Sequence, residues 1–243
     1  MLGLALLVLG LLSGLPGKLR AGSISMELVG VSQSLGSYYV APYKVSVGGT
    51  TYNLVCDDAL DDVSVGETWS ATTETFSNLT GALFSQGYLD NSATTISQTP
   101  AYQEAGWLMH QIIANIGNAT VTGEYQYALW DIFDPGFSNT TGTLPNGEPA
   151  ADLTSTEQSA VDNDLKAAEA NYASGNYSDL VIYTPTPTGP GEPQEYFGFN
   201  TPQAAPEPAS VTILAADLIL FCLLALGLWR LRILTLARGS SAA

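Results

Sequence analysis

The chain has 243 residues and a formal charge of −16, with 23 acidic residues against seven basic ones. That balance excludes nucleic acid as a partner, because a phosphate backbone is repelled by an acidic surface. Anionic polysaccharide is disfavoured on the same ground unless divalent cations bridge the two.

The first segment is apolar from Leu2 to Leu15 and breaks at Pro16-Gly17. It is too short to cross a bilayer, which takes about 20 residues, but it suits the hydrophobic region of a signal peptide. Cleavage after Ala21 puts Leu19 and Ala21 at the positions a signal peptidase reads, so residues 1–21 are set aside as an export signal.

Residues 22–183 read as one acidic extracellular domain, long enough to bury a sizeable core. From Gly22 to Ser210 the only basic residues are Lys44 and Lys166, whereas all but one of the acidic residues lie there. In chain order, Tyr43–Val47 and Thr50–Val55 alternate around Gly48-Gly49 and predict a β-hairpin that delivers Cys56 at its end. The acidic run Asp57, Asp58, Asp61 and Asp62 follows. Glu67–Phe76 is a strand candidate. Ala101–Ile116 places Trp107, Leu108, Ile112 and Ile113 at helical spacing, and Glu124–Phe133 is a second amphipathic segment stopped by Asp134-Pro135-Gly136. Thr154 and Glu157 form the two ends of a capping box that opens a third helix running to about Ala173. Asp179–Tyr183 and Glu195–Phe199 read as closing strands. The expected fold class is α+β: a single mixed β-sheet/helix extracellular domain, with one transmembrane helix at the C-terminus.

Residues 184–205 combine a closing strand with a Pro-rich linker, and residues 206–243 form a tail. The run 211–229 is almost wholly apolar and, at about 1.5 Å rise per residue, matches a bilayer core of about 30 Å. Arg230, Arg232 and Arg238 follow it, and the positive-inside rule keeps them in the cytoplasm with the N-terminal domain outside. Asp217 within the run is costly in lipid unless it lies near the outer interface, is neutral, or is read by a partner. Pro206-Glu207-Pro208, then the span, then the arginine cluster resembles a PEP-CTERM sorting signal. The resemblance implies handling by an exosortase-like membrane protease. It implies inner-membrane anchorage through the C-terminal helix, with release to the cell surface or extracellular space.

Two cysteines are present, Cys56 outside and Cys222 inside the span, so the two cannot pair and Cys56 is an unpaired thiol in an exported chain. Gln126-Tyr127-Ala128-Leu129-Trp130 resembles the glutamine motif of the thioester domains of bacterial surface adhesins, and Val55-Cys56-Asp57-Asp58 resembles their cysteine segment. Where that family has Thr before the glutamine, this chain has Tyr125. The resemblance, from about Leu54 to Pro135, implies that Cys56 and Gln126 form an internal thioester, shielded by Trp107, Tyr127 and Trp130. Such a bond would attach the protein covalently to a surface ligand bearing an amine or hydroxyl. The residues alone leave a second reading open, in which Cys56 is a small buried hydrophobe and Gln126 a hydrogen-bonding residue of an ordinary amphipathic helix.

Other candidates carry less. Asp57, Asp58, Asp61 and Asp62 match no EF-hand spacing and read as a solvated acidic turn rather than a Ca²⁺ site. His110, the only histidine, has no evident nucleophile partner and reads as a helix-surface or satisfied core residue. Glu104 with Asp131 offers a pair of carboxylates of the kind a glycosidase uses, but any acidic chain offers such pairs. No metal or cofactor is expected. The sequence thus predicts an exported structural or adhesive surface protein and no enzyme. The alternatives are an exported polysaccharide-acting hydrolase, or an inert matrix protein with no reactive site.

Overall fold

In the computed structural model the residues described are 22–89, 91–144 and 149–199. Among them, six strands close into an antiparallel barrel in the order β1 (Ile24–Leu35), β2 (Tyr38–Val47), β3 (Thr50–Cys56), β8 (Tyr196–Phe199), β7 (Leu180–Thr186) and β4 (Thr68–Thr75). Two short strands, β5 (Gln86–Tyr88) and β6 (Thr95–Ser97), pair separately. Three helices, α1 (Gln98–Ala114), α2 (Ala119–Phe133) and α3 (Ser155–Asn171), pack on one another, and α2 also packs against β1 and β2. The mixed α and β content is as expected, but β1, β5 and β6 stand where no strand was expected, and the main sheet is a closed barrel. Closure follows from pairings the local pattern does not carry: β4 with both β1 and β7, and β8 with both β3 and β7. A barrel leaves no edge strand exposed for unwanted pairing.

The hairpin forms where the sequence places it, because Gly48 (φ 57°) and Gly49 (φ 89°) supply the two positive φ values that a tight two-residue turn demands. Helix α1 starts at Gln98, ahead of the expected Ala101, since Pro100 falls in the first turn, where its missing N–H goes unused. Helix α2 starts at Ala119 because the Asn118 side chain accepts from Val121 N and caps it. The Thr154–Glu157 capping box is formed in both directions.

Opposed residues in an antiparallel ladder point to the same side. The register therefore separates two faces. Inside the barrel stand Met26, Leu28, Tyr43, Val45, Val47, Leu54, Trp69, Ala71 and Tyr196, all buried. Ile182 and Phe197 lie on the other face and meet the helical layer, where Phe197 packs against Tyr102 of α1. Cys56 ends β3 on the inner face, opposite Tyr196, and Asp57 turns to the outer one.

The signal segment, the sorting motif Pro206-Glu207-Pro208, the 211–229 span, Cys222, and Arg230, Arg232 and Arg238 lie outside the described residues. Among the described residues no helix is long and apolar enough to cross a membrane.

Candidate functional site

Strand β2 stops pairing with β3 at Tyr43↔Leu54, two residues short of Cys56. The carbonyl of Cys56 takes its hydrogen bond from helix α2 instead: Gln126 Nε2 donates to it at 2.6 Å. Cys56 and Gln126 are both completely buried. The thiol donates to the carbonyl of Asp58 at 2.9 Å, and the Asp58 N–H donates back to the sulfur at 3.3 Å. Thus the structure brings the Gln126 carboxamide to the backbone of the residue that bears the thiol. Two polar atoms beside them have no partner: Gln126 Oε1, an acceptor, and Trp130 Nε1, a donor.

Helix α2 is fixed at three points that aim Gln126. Thr122 Oγ1 donates to Gln33 Oε1 at 2.6 Å, and the Tyr127 hydroxyl donates to the Leu35 carbonyl at 2.9 Å. Between them Gly123 lies so close to β1 that a Cβ there would stand 2.7 Å from Leu35 Cβ. Only a glycine lets the helix settle this near the strand.

Burial is the main cause that pushes the Cys56 thiol up, and the carboxylates of Asp58 and Asp57 push it the same way. The Asp58 backbone and the Trp130 indole act in the opposite sense. The free thiol is therefore protonated at neutral pH, and its proton must leave during any attack by sulfur. Tyr43 and Tyr196 stand beside this thiol, burial is the main cause that pushes both hydroxyls up, and their rings meet at 5.6 Å. A cleft of about 60 Å³ lined by Tyr38, Tyr43, Asp62, Trp130 and Gln194 opens beside this enclosure. Trp130 acts on the Cys56 sulfur, and Tyr127 packs edge-on against Trp130 at 5.1 Å. Trp107 does not shield the site. It sits half-buried in the helical layer, edge-on to Tyr125, and Tyr43 and Tyr196 take its place.

On the opposite face of the strand end lies a second buried polar cluster that the sequence did not reveal. Glu195 accepts from the Tyr102 hydroxyl, the Leu83 N–H and the Thr184 hydroxyl. Asp57 N donates to the Glu195 carbonyl at 3.3 Å, which sets the two carboxyl groups side by side. Burial first, then the Glu195 charge, hold the Asp57 carboxyl well above the usual range, which favours one proton shared by the pair; neither Asp57 oxygen has another partner. Burial raises Glu195 too, but its hydrogen bonds oppose that and favour its anion.

The remaining candidates occupy structural positions. Asp58 Oδ1 accepts from Leu60 N and Asp61 N, and Asp61 Oδ1 accepts from Gly191 N at 2.7 Å, so the acidic run ties a loop together. Among the described residues no group of three or more His, Cys, Asp or Glu side chains is placed to hold a metal ion. Asp131 is buried and caps a short 3-10 turn (Phe137–Asn139), both oxygens taken by Ser138. Glu104 is buried in α1 with neither oxygen hydrogen-bonded, raised to about 8 by burial and by Glu169. His110 lies 3.6 Å from Asp179 and stacks on Tyr177 and Phe199.

No family model matches the chain, and no curated protein matches it. Among solved structures the chain is similar to the N-terminal thioester domain of fibronectin-binding protein SfbI from Streptococcus pyogenes. The likeness is weak: 11% identity and a TM-score of 0.42, over 76% of this chain and 97% of that one.

Proposed function

We propose that this chain is an exported surface protein of adhesive type that attaches covalently to its ligand through an internal thioester between Cys56 and Gln126. One observation supports this most: the Gln126 carboxamide reaches the residue that bears the thiol, in a place closed to water, with its oxygen left without a donor. Holding the two groups together replaces a slow bimolecular step by an intramolecular one. In formation the Cys56 sulfur bonds to Gln126 Cδ, the C–N bond breaks, and the thiol proton leaves on ammonia. In transfer an amine or hydroxyl of the ligand bonds to the same carbon, the C–S bond breaks, and a proton returns to sulfur. Burial protects the thioester from hydrolysis until a ligand enters.

Delivery by an exosortase-type system, anchorage by the 211–229 span and display outside the inner membrane belong to the same reading. They are supported by the order of Pro206-Glu207-Pro208, span and arginine cluster in the sequence.

Intact-mass measurement on the full chain tests the chemistry. The expected result is a mass lower than the sequence requires by one ammonia, unchanged from sequence in Cys56→Ala, with a methylamine adduct on treatment of the native protein. A full, unmodified mass with a titratable Cys56 thiol would discard the thioester and leave an anchored structural protein.

A further inference from the structure

We propose that the indole N–H of Trp130 is the hydrogen-bond donor that holds the oxygen of the Gln126 acyl group while the thioester forms and while it is opened. The inference rests on the Cys56–Gln126 reading and assigns the group that makes the reaction fast.

Gln126 Oε1 and Trp130 Nε1 are opposite in kind, both buried, and both without a partner. An orphaned buried polar atom works against folding, so two complementary ones in one site call for a cause beyond packing. Residues 126 and 130 are one turn apart on α2, which puts their side chains on the same helix face. The Trp130 indole also acts on the Cys56 sulfur, where it favours the thiolate. The N–H therefore stands by the nucleophile, one helical turn from the acyl group it attacks, with which it makes no hydrogen bond in the resting state.

The indole is held rather than free to turn. Its ring meets Tyr127 edge-on at 5.1 Å, Phe137 at 5.6 Å and Tyr38 at 6.0 Å. A donor locked before the reaction needs no reorganisation when charge develops. As sulfur bonds to Gln126 Cδ, the carbonyl electron pair moves onto oxygen. In this dry enclosure that anion needs a donor, and the indole N–H is the unpartnered one on the same helix face. Collapse restores the carbonyl, breaks the C–N bond and releases ammonia with the thiol proton. Opening by an amine passes through the same oxyanion and ends with the proton on sulfur. The indole N–H keeps its own proton throughout.

The test compares the full chain with Trp130→Phe, which keeps an aromatic cover but has no N–H. Intact mass after synthesis reports thioester formation, and stopped mass measurements report methylamine opening. Removal of one oxyanion donor slows acyl transfer by about 10²–10³-fold. The expected result is slowing of that order in both steps, with the near-ultraviolet circular dichroism of the native fold retained. The infrared stretch of the thioester carbonyl should also rise, as it does when a carbonyl loses a donor. Should Trp130→Phe fail to fold, the benzothiophene isostere of the Trp130 side chain, with sulfur in place of N–H, fills the same volume and must give the same slowing. Equal rates and an unmoved carbonyl stretch in a folded variant would overturn the role of Trp130 while leaving the thioester intact. Absence of ammonia loss from the native chain itself would overturn the thioester reading, and this assignment with it.

Discussion

The end of strand β3 carries two buried polar sites back to back, and they are built on opposite principles. On the outer face Glu195 accepts three hydrogen bonds, and a proton on the otherwise unpartnered Asp57 carboxyl completes the cluster. On the inner face the Gln126 oxygen and the Trp130 N–H are enclosed without partners. A satisfied buried network rigidifies a fold and is accounted for by stability alone. An unsatisfied one works against stability, and its persistence points to chemistry.

The comparison can be broken most severely from the outer side. Glu195→Ala leaves the Tyr102 hydroxyl, the Thr184 hydroxyl and the Leu83 N–H without their acceptor. Breaking a buried charged network costs about 3–5 kcal/mol, to be read as a lower urea midpoint. A loss below about 1 kcal/mol, the scale of an exposed pair, would mean that this cluster does not hold the barrel to its helices.

A second change acts on the inner side without touching any polar group. Gly123→Ala forces a methyl to within 2.7 Å of Leu35 Cβ and must lift α2 from β1. Overpacking of this kind costs about 1–3 kcal/mol, and thioester yield should fall with the melting temperature as Gln126 withdraws from Cys56. An unchanged yield in the destabilised variant would show that the Gln126 position does not depend on this close approach.

The smallest effect separates both sites from the helical layer. Glu104 is raised to about 8 by burial and by Glu169, and Asp164 to about 7 by burial and by Glu124. The folded state thus keeps protons that the unfolded chain has already released. Stability is fully present below the ordinary carboxylate range and declines as pH rises through these values. The urea midpoint should be higher at pH 5 than at pH 8, and Glu104→Gln should flatten the profile. A midpoint that rises with pH would assign the wrong protonation state to these helix contacts.

Much of the fold follows from short-range signals. The Gly48-Gly49 turn, the Thr154 capping box and the Asp134-Pro135-Gly136 stop each act within a few residues, and each appears where the sequence puts it. Strand β1 was not legible, because irregularities between Leu28 and Gly30 and between Val31 and Gln33 break the alternation that marks a strand. Barrel closure was hidden for another reason: it depends on β3 meeting β8, residues separated by most of the domain. In the candidate site, the pairing of Cys56 with Gln126 is legible only through the resemblance of their two segments to thioester-domain motifs. The partnership of Asp57 with Glu195 is not legible, since an isolated Glu near the end of an acidic chain carries no sign of burial. Trp107 and Trp130 looked equivalent as shields, and only the packing of α2 distinguishes them.

The place of β8 has a consequence for the order in which the molecule can be assembled. It is the last strand of the described chain, yet it sits between β3 and β7 and covers both Cys56, through Tyr196, and Asp57, through Glu195. A chain that emerges N-terminus first cannot complete its barrel until residues 195–199 arrive. Until then the thiol is uncovered and the enclosure that favours acyl transfer does not exist. Closure of the fold and readiness of the site are therefore one late event, timed by the arrival of the final strand.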